Sequence, residues 1–259
     1  MPLHPGGRAR WLSAPSLDLP PPFRLVTLRE AGDAFAHACS IAADEGAGTL
    51  VHVGRFDLAE FAVVLEPEEP LRIARRAFYA GMCALGDALA VHAPPEKPIN
   101  FDWPDAIRVD GGLVGGGRLA WPAGSDEAEP PPWLVFGAMI RTVAIGEDEP
   151  GLRPLGSALE EEGFDDVGSG RLAETFARHL MVAIDTWQEQ GFTALAKDYL
   201  ARLALPPSPS PARGWRHDID DNGDLLVRGI EKTDAERRGL ANALAVPSWL
   251  DPVTGGPRA

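Results

Sequence analysis

The stretch INFDWPDAIRVDGGLVGGGRLAWP, residues 99–122, decides how the chain is read. It runs as a strand, a tight turn and a second strand, with an acidic Trp-Pro turn ahead of them. Three consecutive glycines, Gly115, Gly116 and Gly117, fall inside the second strand. Glycine has no side chain to pack, so a triplet in a strand marks a place where a ligand or another part of the chain comes very close. The fold and the function both turn on what lies against those glycines.

Working outward, the elements on either side alternate between strand and helix patterns. FRLVTL (23–28) reads as a strand, and the helix pattern over 29–46 places Ala34, Ala38, Ile41 and Ala42 on one face before a stop at Gly46. Two short strand runs follow, GTLVHVGRF and EFAVVLEP, the second ended by Pro67. A helix is predicted over 71–93, closed by Pro94-Pro95. Beyond the glycine stretch, residues 133–146 alternate as a buried strand, and two helices broken at Gly191 follow. Hairpins are frequent and strands outnumber the intervening helices. The expected class is therefore α/β of the mixed, α+β type: a mixed sheet flanked by helices rather than a doubly wound one.

Organisation follows composition. Residues 1–22, rich in Pro, Gly and Arg, are expected to form a flexible N-terminal segment, and residues 23–204 the main domain. A Pro/Ser linker over 205–213 separates a small β-rich C-terminal domain, 214–259. In that domain DIDDNGDL places Asp218, Asp220, Asn222 and Gly223 as in the first half of a calcium loop. Gly229 stands where the bidentate acid belongs, and Asn-Gly between alternating runs is a hairpin signal, so a hairpin is expected and no metal site.

The 259 residues carry 38 Asp and Glu against 24 Lys and Arg, a formal net charge of -14. That excess repels phosphate backbones and anionic lipid, which argues against nucleic acid and membranes as partners. No signal-peptide core or apolar run of about 18 residues is present, and the two cysteines, Cys39 and Cys83, lie in apolar helical patterns as free thiols. A cytoplasmic protein is expected. The histidines show no ligand spacing, and no serine stands in a nucleophile elbow.

WPDAIRVDGGLVGGG (103–117) resembles the signature of the biotin/lipoate protein ligase family: Lys-Trp-Pro-Asn-Asp, a strand, Asp-Gly, a lysine, then Ala-Gly and a second strand. Trp103, Pro104, Val109, Asp110, Gly111 and Gly115 fall in register with it. LVFGAMI (134–140) is similar to the family's next strand, residues 160–203 to its closing helices, and residues 29–53 to its first helix and following strand. The resemblance spans about residues 23–204 and implies the catalytic-domain fold of that family. Many biotin ligases also carry a small β domain after it, and the tail GDLLVRG…PSWLDP resembles that of a divergent branch of the family.

Such a ligase activates a carboxylate with ATP and Mg²⁺ and passes the acyl group to a lysine of a biotinyl or lipoyl carrier domain. The acid would be biotin, lipoate or octanoate. This chemistry needs a dry apolar slot floored by backbone, and cations against the phosphates. By analogy Trp103, Pro104, Asp105, Asp110, Gly115, Gly116 and Gly117 form the slot. The cations are what this sequence lacks. Leu113 stands at the family's central lysine, and Arg141 at the Asn that ends the next strand; the turn's Asn-Asp is Asp105-Ala106. Of the phosphate-binding loop only Gly54 and Arg55 remain, beside the acidic Asp57 and Glu60. Lys97, Arg108 and Arg118 are the cations near enough in sequence to compensate.

Two functions are consistent with these residues. One is a relative without normal adenylation chemistry that binds the acyl group, cofactor or carrier domain. The other is an active ligase, or an acyltransferase using an already activated donor, with relocated groups; Cys39 or Cys83 is then the candidate nucleophile. ATP and Mg²⁺ belong to the ligase reading alone, and no catalytic residue is assigned.

Overall fold

A computed structural model of the chain describes residues 17–29, 32–145, 156–165, 167–204, 215–229 and 235–258. Residues 1–16 of the N-terminal segment and the 205–213 linker lie outside the described residues.

The chain opens with strand β1 (Arg24–Leu28) and helix α1 (Ala34–Glu45). Asp33 caps α1 by accepting a hydrogen bond from the Ala36 N–H at 2.9 Å, and Gly46 ends it with φ 74°. Ala34, Ala38 and Ala42 are buried along the helix, while Ile41 is only half-buried. Strands β2 (Thr49–Val53) and β3 (Leu58–Leu65) follow. The expected helix over 71–93 runs as two, α2 (Leu71–Ala74) and α3 (Ala77–His92). The break is tertiary in origin. Arg75 turns to Glu127, making two bonds of 2.6 Å, while Arg76 lies over the rings of Phe192 and Trp187.

Strands β4 (Ile99–Asp102), β5 (Ala106–Val109) and β6 (Gly112–Ala120) come from the glycine stretch, and β7 (Leu134–Arg141) follows a loop with the acidic spelling PAGSDEAEPPP, 122–132. Between β5 and β6 the two-residue turn Asp110-Gly111 has φ of 48° and 88°, the paired positive values of a primed hairpin turn. Helices α4 (Ser169–Gln190) and α5 (Phe192–Ala201) meet at Gly191, φ 82°. Strands β8 (Trp215–Ile219), β9 (Leu225–Gly229) and β10 (Glu236–Arg238) and the short helix α6 (Leu240–Leu244) complete the order.

The first seven strands form one mixed sheet, β1-β2-β3-β7-β6-β5-β4, in which only β1 and β2 are parallel. Beside it stands a small antiparallel sheet, β10-β9-β8. Asn222-Gly223 turns the chain between β8 and β9, and the Asp220 carboxylate accepts from the N–H groups of Asn222 and Asp224. The calcium-like spelling is thus a turn whose Asp220 carboxylate is taken up by its own backbone through one oxygen and by Arg237 at 2.6 Å through the other.

Alternation along the strands sends the two faces of the large sheet to different partners. One face packs against α3, α4 and α5 through Phe61, Phe78, Phe136 and Phe176; the Phe136 and Phe176 rings stack at 5.7 Å. Ile219, Leu225, Val227, Leu240 and Leu244 of the small sheet and α6 join that same cluster. On the other face α1 covers Val51, Val53, Ala62, Val64 and Val135, over β2, β3 and one end of β7. It leaves open the half of that face built by β5, β6 and the far end of β7.

Candidate functional site

The half of the sheet that α1 does not cover carries an apolar box made by Leu58, Ala106, Leu113 and Met139. Each of the three glycines meets a different neighbour there. Gly115 has φ 147° at a register shift opposite β5, and a Cβ on it would lie 2.0 Å from the Met139 carbonyl oxygen. Gly117 turns toward the helices, where a Cβ would meet Met82 Sδ at 2.7 Å. Gly116 faces the box. A Cβ there would lie 2.0 Å from the Asp105 carbonyl oxygen and 2.4 Å from Cδ1 of Trp249.

Trp249 is the group against the glycines. It is 0% exposed and packs with Leu58, Ala106, Leu113 and Met139. Because β5 begins only at Ala106, opposite Gly116, the Gly117 carbonyl has no partner strand there, and the indole Nε1–H donates to it at 3.0 Å. The preceding Ser248 donates its backbone N–H and its hydroxyl to the two oxygens of Asp105, at 2.8 and 2.6 Å. Asp105 is buried, and burial raises its pKa above the usual carboxylate range; the Ser248 bonds act in the opposite sense but less strongly.

Trp103 and Pro104 lie away from this box. The Trp103 ring packs on the helix-side core and its Nε1–H donates to Tyr79 Oη at 3.1 Å, while the Pro104 carbonyl accepts from the Tyr199 hydroxyl at 2.8 Å.

Each cation that the sequence offered to the slot is engaged by groups of the chain itself. Lys97 bridges Asp110 and Glu162 at 2.7 and 2.9 Å, and those carboxylates raise its pKa. Arg108 donates to Asp102 and to the Gly111 carbonyl. Arg118 is half-buried, paired with Asp33 at 2.9 Å and lying 4.3 Å over the Phe35 ring. Arg141 donates to the carbonyls of Pro257 and Arg258. In the 54–57 loop the Gly54 N–H donates to the Leu28 carbonyl, and Arg55 holds Asp57 with two bonds of 3.0 and 2.6 Å. That pair pulls the Asp57 pKa down. Glu60, 2% exposed, accepts from the Ala34 N–H at 2.8 Å and has its pKa raised by burial. Asp33 and Glu60 together cap the start of α1, so its amides already hold carboxylates.

Both cysteine thiols are held protonated by burial, Cys39 up to about 11 and Cys83 up to about 12. A thiol at those values is a poor nucleophile. A larger hollow of about 1390 Å³ opens on the helix side of the sheet, between the 54–57 loop and α4. Its buried His52 is satisfied by Ser169 Oγ at 3.2 Å, and His92 by Thr175 Oγ1 at 2.9 Å; neither Leu113 nor a glycine of the triplet lines it.

A mixed sheet layered by helices on one face, with α1 over half of the other face and a glycine-floored box over the rest, is the biotin/lipoate ligase-type α/β fold. The chain belongs to the biotin/lipoate A/B protein ligase family, whose model matches residues 19–201. A biotin–[acetyl-CoA-carboxylase] ligase of Paracoccus denitrificans is 30% identical over 182 residues, 64% of this chain and 72% of that protein. A biotin protein ligase-like protein of unknown function from Silicibacter sp. TM1040 superposes with a TM-score of 0.75 at 27% identity, covering 88% of this chain and 99% of its own. The biotin protein ligase of Aquifex aeolicus shares the fold, with a TM-score of 0.60 at 14% identity over 84% of this chain and 99% of its own. Ser248 and Trp249 lie beyond the family-matched residues. The sequence stretch that carries them, PSWLDP (247–252), held no pattern that paired it with the glycines.

Proposed function

We propose that this chain is a member of the biotin/lipoate protein ligase family that binds a cofactor-type acid, or the carrier domain bearing one, without adenylating it. One observation carries the reading. Leu113, at the position of the family's central lysine, is 5% exposed inside an apolar box closed by Trp249. A leucine there offers a developing acyl phosphate no charge stabilisation.

The surrounding charges support the same reading. A triphosphate with Mg²⁺ does not fit the residues present. By the family resemblance Asp57 and Glu60 fall beside the phosphate-binding loop, and the start of α1 is already capped by two carboxylates. Each further negative charge raises the cost of placing phosphate there. Residues of the slot itself, Asp105, Leu113, Gly115, Gly116 and Gly117, would hold the ligand. Gly54, Arg55, Arg118 and Arg141 would frame it, with Trp103, Pro104 and Asp110 shaping the turns behind. The chain works in the cytoplasm, where carrier domains are modified.

The second reading, an active ligase or acyltransferase with relocated groups, draws on the 30% identity to the Paracoccus denitrificans biotin ligase. In it Arg118 or Arg141 would have to leave its present partner to meet the acyl phosphate. One experiment separates the two: mass spectrometry of the purified protein incubated with Mg-ATP and biotin, lipoate or octanoate. Retained acid without acyl-adenylate is the expected result. An acyl-adenylate overturns the non-adenylating reading and directs mutagenesis to Arg118 and Arg55.

A further inference from the structure

We infer that residues Ser248–Arg258 are an internal occupant of the slot, displaced when an external ligand binds. The inference rests on the binding role proposed above, and its test reads displacement rather than adenylation.

The first ground is the chemistry of the floor. An ordinary core void is filled by apolar groups meeting apolar groups. Here the floor presents two acceptors, the Asp105 carboxylate and the Gly117 carbonyl, set in the apolar box of Leu58, Ala106, Leu113 and Met139. The tail answers them with three donors: the Ser248 N–H and hydroxyl to the carboxylate, and beside them the Nε1–H of the flat Trp249 ring to the carbonyl. A ligand that replaces it must bring the same features: a flat apolar body with two or more N–H donors, as in a cyclic urea or lactam. An alkyl acid without ring donors would leave buried acceptors unpaired, at a cost of about tenfold in affinity for each.

The second ground is how the segment is built. Its backbone bonds close on itself: Arg258 N–H to the Trp249 carbonyl at 2.8 Å, Asp251 N–H to Gly256 at 2.9 Å, and Gly255 N–H to Asp251 at 2.8 Å. Its ties to the floor run through side chains, those of Ser248, Trp249, Asp105 and Arg141, together with the Ser248 N–H. Such a unit can leave without opening a sheet ladder. A cleft of about 280 Å³ already lies between its Asp251–Pro257 turn and the Arg55–Leu58 loop, and Val253 at its tip is 91% exposed.

The test uses the full chain and biotin, whose fused ring carries two urea N–H groups, with octanoate as the donor-free comparison. Calorimetry measures affinity, and amide hydrogen exchange follows residues 250–258. In the wild type, saturating biotin is expected to speed exchange of the Asp251, Gly255 and Arg258 amides. Trp249→Ala is expected to bind biotin at least tenfold more tightly than the wild type, and octanoate more weakly than biotin. If Trp249→Ala does not fold, Ser248→Ala keeps the indole, loses one donor to Asp105, and is expected to gain about threefold. Biotin bound with the tail still protected overturns the inference while leaving the binding role intact. Equal affinity in wild type and variants overturns it too, as does the absence of biotin binding in every form.

Discussion

The indole of Trp249 rests on the backbone of Gly116, so closely that an added Cβ would come within 2.4 Å of Cδ1 and 2.6 Å of Nε1. The contact joins a residue of the family-matched region to one outside it, and it explains why the middle glycine of the triplet carries no side chain. The three glycines solve three problems: Gly115 a positive φ, Gly116 the seat for the tail, and Gly117 the approach of α3 through Met82.

That division predicts unequal costs for alanine. Gly116→Ala collides with a backbone oxygen, Asp105 O at 2.0 Å, as well as with the ring, and neither can yield cheaply. It should lose about 3 kcal/mol, the upper end for overpacking, and loosen Trp249. Gly117→Ala meets first the Met82 sulfur at 2.7 Å, the far part of a flexible side chain, and then Phe136 at 3.0 Å. It should lose nearer 1 kcal/mol. Urea unfolding of the two variants gives the order, and near-ultraviolet circular dichroism reports the loosened indole in the first alone.

Leu113 and Trp249 should be energetically coupled. Trp249→Ala empties a fully buried site and should cost about 3–5 kcal/mol. Leu113→Lys, the residue that the family resemblance leads one to expect there, forces an ammonium into the same apolar box and should destabilise by several kcal/mol. In the double variant the emptied box admits water to the lysine, so the combined loss should fall short of the sum by at least 1 kcal/mol. A strictly additive double-mutant cycle would show that the two side chains do not share one cavity.

How much of this was legible in the sequence depends on distance along the chain. The mixed sheet, the turn at Asp110-Gly111, the break at Gly191 and the special role of the glycine triplet all come from local spelling: period, turn residues and glycine in a strand. The occupant of the slot does not, because Trp249 donates to a carbonyl 132 residues earlier and Ser248 to a carboxylate 143 residues earlier. No periodicity links such partners. The break between α2 and α3 was hidden for a related reason. Arginine is a good helix former, and distant partners, Glu127 and the Trp121 ring for Arg75 and the Phe192 and Trp187 rings for Arg76, pull the pair out of line. Trp103 stands in a turn, outside any strand, so alternation could not say which face its ring would join.

Ser248→Ala should reveal the titration of Asp105. The folded-state pKa of this carboxyl lies above its unfolded value, because burial outweighs the Ser248 bonds. Its contribution to stability is therefore full below the ordinary carboxylate range and is lost as pH rises through the raised value. Removing the Ser248 hydroxyl takes away a bond that lowers the pKa and pushes it further up. The variant should be about 1–2 kcal/mol less stable than wild type at neutral pH, with a smaller deficit near pH 4, where the carboxyl is closer to neutral in both. Urea denaturation at the two pH values checks the difference; an equal deficit at both would mean the hydroxyl does not act through the charge of Asp105.

His52 gives the opposite sign. It is 4% exposed in β2, with Nε2 3.2 Å from Ser169 Oγ at the start of α4, and burial lowers its pKa below the ordinary histidine value. A group that takes its proton more readily in the unfolded chain contributes stability that is full above the unfolded pKa, about 6.5, and is lost as pH falls below it. His92 and His217 are also lowered by burial and add to the same slope, whereas the raised Asp105 and Glu60 oppose it at more acid pH. The melting temperature of the wild type should therefore fall between pH 7.5 and pH 5.5. His52→Gln keeps a polar partner for Ser169 but cannot titrate, so its melting temperature should fall by less over the same interval. Scanning calorimetry of the two proteins decides the matter: parallel profiles would place the acid sensitivity in His92 and His217 and leave the buried imidazole of β2 without part in it.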